Sequence, residues 1–138
     1  MMKRLIGGIL LGLIIGIATV ALVEYIGHLV YPVPTDLDLN NKEQMKEYVK
    51  NLPFGAFLFV LLAWATGVGF GSFVATKVNK NKMISGITVG IFFLLATIIN
   101  LIIIPHPTWF LLCGLSVFPI FSFLGAKVAD SNCSKTKL

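Results

Sequence analysis

The sequence predicts an all-α fold, a four-helix transmembrane bundle in a single domain spanning residues 1–138, and two observations predict it. The chain is 57% hydrophobic and only 12% charged, with a mean hydropathy of +0.90, whereas a soluble domain carries about 25% charged residues. Its apolar residues also fall in four long runs rather than in the short periodic pattern of a water-soluble core. The runs are 5–23, 54–76, 83–104 and 108–126, and none contains Asp, Glu, Lys or Arg. Each fits the roughly 17–25 residues needed to cross about 30 Å of hydrocarbon. This distribution excludes water-soluble enzymes and disulfide-stapled secreted folds.

The first span follows Lys3 and Arg4 and ends near Thr19-Val20-Ala21. That is a poor signal-cleavage site, and the apolar run exceeds the roughly 7–15 residues of a signal core, so it reads as an uncleaved anchor helix. A polar segment, 32–53, separates it from the second span. Within that segment a short amphipathic helix is expected from Lys42 to Leu52, capped by Asn40 or Asn41, with Met45, Tyr48, Val49 and Leu52 on one face. Asp36, Asp38, Asn40 and Glu47 also stand at positions 1, 3, 5 and 12 of an EF-hand-like loop, but Asn41 occupies the position where the sharp turn wants Gly. The helix is therefore preferred, as a lid lying on the outer membrane surface.

Lys77, Lys80 and Lys82 lie between the second and third spans, and Lys127, Lys135 and Lys137 follow the fourth. With Lys3 and Arg4 they occupy one side, against Lys42, Lys46 and Lys50 on the other. The positive-inside rule then puts both termini in the cytoplasm of a multi-pass inner-membrane protein. The net charge of +5 is a topology signal, and its scattered cations argue against a nucleic-acid partner. Cys113 and Cys133 fall on opposite sides of the bilayer, too far apart for the roughly 6 Å of a disulfide.

Two pairs of segments match. Pro32-Val33-Pro34-Thr35 resembles Pro105-His106-Pro107-Thr108, and Ser72-Phe73-Val74-Ala75-Thr76-Lys77-Val78 resembles Ser122-Phe123-Leu124-Gly125-Ala126-Lys127-Val128. Both pairs keep the same topological place, which suggests an internal repeat: two parallel-duplicated hairpins related by a twofold axis along the membrane normal. Small residues at Gly8, Gly12 and Gly16, at Ala63, Gly67, Gly71 and Ala75, and at Gly86 and Gly90 form small-xxx-small rows expected at helix contacts. Such a row drifts about 40° per step, which puts Gly8 and Glu24 about 160° apart and implies that they need not face the same partner. Pro119 interrupts the fourth span, where Ser116 or Ser122 is expected to satisfy the freed backbone. Trp109 suits an interfacial anchor, while Trp64, near mid-depth, needs a partner for its indole N–H.

The sharpest local feature is polar. Glu24 and His28 form an i, i+4 pair near the outer end of the first span, and Asn100 and His106 reach a similar depth from the third. The four residues are expected to form an outer-rim cluster. Its readings are mutual satisfaction of polar groups, a solute or ion mouth, or a metal or haem site using His28 and His106. A transporter normally keeps an ionisable group near the midplane, and here the midplane has none.

The run Glu24-x3-His28-x2-Tyr31-Pro32-x-Pro34, with Asn100-x4-Pro105-His106-Pro107-x-Trp109, resembles small bacterial inner-membrane proteins of four helices. That resemblance implies the fold and no particular activity. Small multidrug exporters share the size and helix count, but they carry a glutamate in the body of the first helix, where this chain has Gly12 to Ala18. The expectation is a non-catalytic accessory or structural component of the membrane, without a cofactor. Its contacts would be the lipid bilayer and a protein partner or a second copy of itself. An oligomeric transporter or channel with Glu24 and His28 at its outer mouth is the alternative.

Overall fold

The computed structural model of the protein describes residues 2–80 and 82–134, with side chains as far as Ser131. Lys135, Lys137 and the Cys133 side chain, used in the charge and disulfide arguments, lie outside the described residues. Five helices follow one another: α1 (Met2–Val30), α2 (Lys42–Asn51), α3 (Phe54–Val78), α4 (Met83–Ile103) and α5 (Thr108–Ser134). All but α2 are long and apolar enough to cross a membrane, the architecture of a small multi-pass membrane protein. Large apolar side chains such as Leu29, Phe70, Ile102 and Leu112 point outward, an exterior suited to hydrocarbon and costly in water.

Prolines set most helix limits. Pro32 disfavours helical backbone at Tyr31, so α1 stops at Val30 instead of at Val23. Polarity alone does not end a helix, and Glu24 and His28 therefore sit inside α1. Ile104, before Pro105, is extended and terminates α4, while Pro53 is the N-cap of α3. No such stop follows Ala126, and α5 continues to Ser134. It is one helix through Pro119. The two nearby hydroxyls do not serve the carbonyl that Pro119 frees at Leu115: Ser116 donates to the Leu112 carbonyl at 2.8 Å and Ser122 to that of Pro119 at 3.3 Å.

The small-residue rows carry the packing. Antiparallel α1 and α3 meet with Gly8 over Ala75, Gly12 over Gly71 and Gly16 over Gly67. A Cβ placed on Gly12 would stand 2.5 Å from the Gly71 carbonyl oxygen, so only glycine permits this approach. On α4, Gly86 is wedged between Ser72 and Thr76 of α3 and Ala126 of α5, and Gly90 lies against Ser122. Buried Ser72 donates to the Gly86 carbonyl at 2.9 Å, one of the few polar links available in an apolar interior.

The twofold axis expected from the sequence repeat is absent from this packing. It would exchange α1 with α4 and α3 with α5, so α1 would meet α5 as α3 meets α4. Instead α3 packs on α1, α4 and α5, whereas α1 and α5 do not approach each other. The glycine contacts reflect the asymmetry: Gly86 of α4 is held by α3 and α5 together, whereas Gly12 and Gly16 of α1 meet α3 and α4. The matched segments keep only a local likeness, with Lys77 over the Phe73 ring at 5.9 Å and Lys127 over that of Phe123 at 5.7 Å. Arg4, at the same end, donates to the Val78 carbonyl at 3.0 Å, a cation at a helix C-terminus.

Candidate functional site

At the other end of the bundle α1, α3 and α4 enclose a cavity of about 680 Å³ roofed by α2. The roof forms because Asn41 caps α2, its side chain accepting from the Glu43 and Gln44 amides at 3.1 and 3.3 Å. Asn40 is not the cap, and the helix ends at Asn51 with Leu52 just beyond it. Met45, Tyr48, Val49 and Leu52 all turn into the cavity, while Glu47 is exposed on the helix rather than gathered into an EF-hand-like loop. Among the described residues no Cα of α2 comes within 8 Å of another helix. The roof is therefore held by side chains, with Val49 the most buried at 7% exposure.

Glu24, His28, Asn100 and His106 all line this cavity. Trp64 donates a side-chain hydrogen bond to Glu24, and His28 is the charge partner of that carboxylate. Gly8, Gly12 and Gly16 face α3, and Glu24 reaches α3 as well, through the long indole of Trp64 rather than through alignment of helix faces. His106 lies in the turn after α4, with Nδ1 2.6 Å from the Ile104 carbonyl oxygen and its ring stacked 5.0 Å from Phe110. Burial lowers its pKa below the usual 6.5, and the bond to Ile104 opposes that shift. Burial likewise raises the Tyr48 phenol. Among the described residues no three His, Cys, Asp or Glu side chains gather closely enough to hold one metal ion.

An aromatic wall that no sequence motif announces completes the cavity. Tyr31 meets Phe59 edge-on at 6.0 Å, Trp64 lies 5.4 Å from Phe110, and Phe110 lies 5.2 Å from Phe57. A signal was present on α4, where Phe93, Thr97, Asn100 and Ile104 recur at helical spacing along one face, and all four line the cavity. Trp109 packs against Phe54 and Phe57 at 5.1 and 5.5 Å, beside the cavity and not in its wall.

The cavity has a floor. Val20, Trp64 and Phe93 are its deepest lining residues, and beneath them Gly16 is pressed against Phe93 and the Gly67 carbonyl. Ala63, Val68 and Val89 close the interior with no exposed surface. The lining residues that are also exposed are His28 on α1, Ala96 and Asn100 on α4, and Val33 and Leu39 in the segment between α1 and α2. Glycine contacts that join α1 to α4, at Gly12 with Val89 and Gly16 with Phe93, lie below these exposed positions.

No known family, curated protein or solved structure matches this chain.

Proposed function

We propose that this is a bacterial inner-membrane protein, with both termini in the cytoplasm, that holds a small amphiphile and performs no catalysis of its own. It acts as an accessory component that takes its guest from the lipid phase. The observation that carries this reading is the floored cavity with exposed lining residues on both α1 and α4, at His28, Ala96 and Asn100. Its volume lies within the roughly 300–1,000 Å³ of small-molecule sites, and its mainly apolar wall with few polar groups has the usual character of such sites. In this orientation the opening lies in the outer leaflet and α2 covers the site from the water. The floor favours binding over transport, since among the described residues none deeper than Val20, Trp64 and Phe93 lines the cavity.

Trp64 supplies the test. In Trp109→Phe protein it is the sole tryptophan, and at 8% exposure it is shielded from bulk lipid. A brominated monoacylglycerol, a neutral amphiphile, is expected to quench it saturably, and Ala96→Phe at the opening is expected to weaken that quenching. Trp64 fluorescence unchanged by the probe in a folded protein rejects the reading.

A further inference from the structure

The chemistry of the wall selects among amphiphiles. Among the described residues Glu24 is the only carboxylate lining the cavity, and no Lys or Arg lines it. A charge in an apolar site is costly unless it is paired. Here the carboxylate has one indole N–H donor and the His28 imidazole. His106, the other basic group in the wall, is held toward its neutral form by burial. Trp64, bonded to Glu24, and Tyr31 and Phe59 line the same cavity, and aromatic faces attract cations most strongly where water is excluded. The Asn100 carboxamide, which has no hydrogen bond to another described residue, adds a free carbonyl acceptor.

We infer that the guest is a single-chain lipophilic ammonium, its head seated at Glu24 among the aromatic rings and its chain leaving between α1 and α4. An anionic head would meet Glu24 without a Lys or Arg to offset the repulsion. A zwitterionic phospholipid would bring a phosphate to a wall in which no Lys or Arg is present among the described residues. This inference rests on the amphiphile-binding reading of the cavity and adds the charge of the guest.

The test uses four brominated probes of equal chain length on the Trp109→Phe protein: an alkyltrimethylammonium, an alcohol, a carboxylate and a phosphatidylethanolamine. The ammonium is expected to quench Trp64 at a concentration at least about tenfold lower than the alcohol, with the carboxylate and the phospholipid weakest. Glu24→Gln is expected to bring the ammonium down to the level of the alcohol while leaving the alcohol unchanged, and Glu24→Asp to keep part of the preference. Equal binding of ammonium and alcohol overturns the charge assignment and leaves the cavity reading standing. Phosphatidylethanolamine binding as well as the ammonium overturns the net-cation assignment. Quenching by none of the probes removes the cavity reading itself, and this inference with it. If Glu24→Gln loses the alcohol too, the order of the four probes on unsubstituted Glu24 decides.

Discussion

Burial and hydrogen bonding act on His106 in opposite directions, and burial prevails. Its ring stacks on Phe110 and its Nδ1 bonds the Ile104 carbonyl, yet the net effect is a pKa below 6.5. The unfolded chain therefore binds the proton more readily than the folded one. Stability rises with pH between the lowered folded value and 6.5, is fully present above 6.5, and is lost as pH falls through that window. Unfolding by sodium dodecyl sulfate in mixed micelles should need less denaturant at pH 5.5 than at pH 7.5. Glu24 and His28 share the cavity, so the diagnostic quantity is the difference from His106→Phe, which keeps a ring against Phe110 and removes the titration. An unchanged pH slope in that variant would show that His106 is not its source. That His106 belongs at the rim was legible from Pro105-His106-Pro107, but its stack on Phe110 was not, because two prolines set the turn between α4 and α5. Trp64 was recognisable as needing a partner. Glu24 could not be named as that partner, because angular reckoning along α1 ignores the reach of an indole.

At the scale of elements, glycine decides which helices touch. Gly12 and Gly71 face each other so closely that a Cβ on either would stand 2.5 or 2.6 Å from the other's carbonyl oxygen. That clash involves backbone and cannot be relieved by a rotamer change. Gly12→Ala should destabilise the bundle by about 1–3 kcal/mol, the range of overpacked cores. Gly7→Ala, one turn earlier and with nothing within 4 Å, should be neutral or slightly stabilising, because alanine favours helix over glycine. Denaturant midpoints of the two variants check the contrast, and equal midpoints would deny that the glycine row forms the α1–α3 contact. The rows were legible as contacts from spacing alone. Which row meets which was not, because spacing fixes a face of one helix and says nothing of its neighbour. The missing twofold axis has the same origin: Ser72 and Ser122 match in sequence, but Gly86 of α4 takes Ser72 and Thr76 of α3 on one side and Ala126 of α5 on the other, whereas Gly12 and Gly16 of α1 meet α3 and α4 and not α5. The four spans were legible because hydrocarbon imposes length and forbids charge. Their extensions were not, because α1 continues beyond its apolar run until Pro32 intervenes and α5 continues past Ala126 to Ser134.

For the whole molecule, the division into a packed half and a hollow half separates binding from transport. Small residues bring α1, α3, α4 and α5 together at the end bearing Arg4, Lys77 and Lys127, whereas aromatic residues hold the helices apart beneath α2. A transporter must open its closed side at some point in its cycle, exposing residues below Trp64 to the water there. A holder of membrane amphiphiles has no such requirement. Single cysteines in a Cys113→Ser, Cys133→Ser background distinguish the two, read by a membrane-impermeant maleimide added to one face of oriented vesicles. Lys46→Cys on α2 and His28→Cys at the opening should react from the α2 face, and Lys80→Cys from the opposite face. Ser72→Cys and Val89→Cys, both without exposed surface, should label at background rate from either side, with or without an amphiphile present. Labelling of Ser72→Cys from the Lys80 face, particularly if it rises when His28→Cys becomes protected, would mean that the floor opens and that the molecule moves its guest across the membrane. Background labelling at both buried positions, beside ready reaction at Lys46→Cys and Lys80→Cys, fixes the orientation of the bundle and the dead end of the cavity in one experiment.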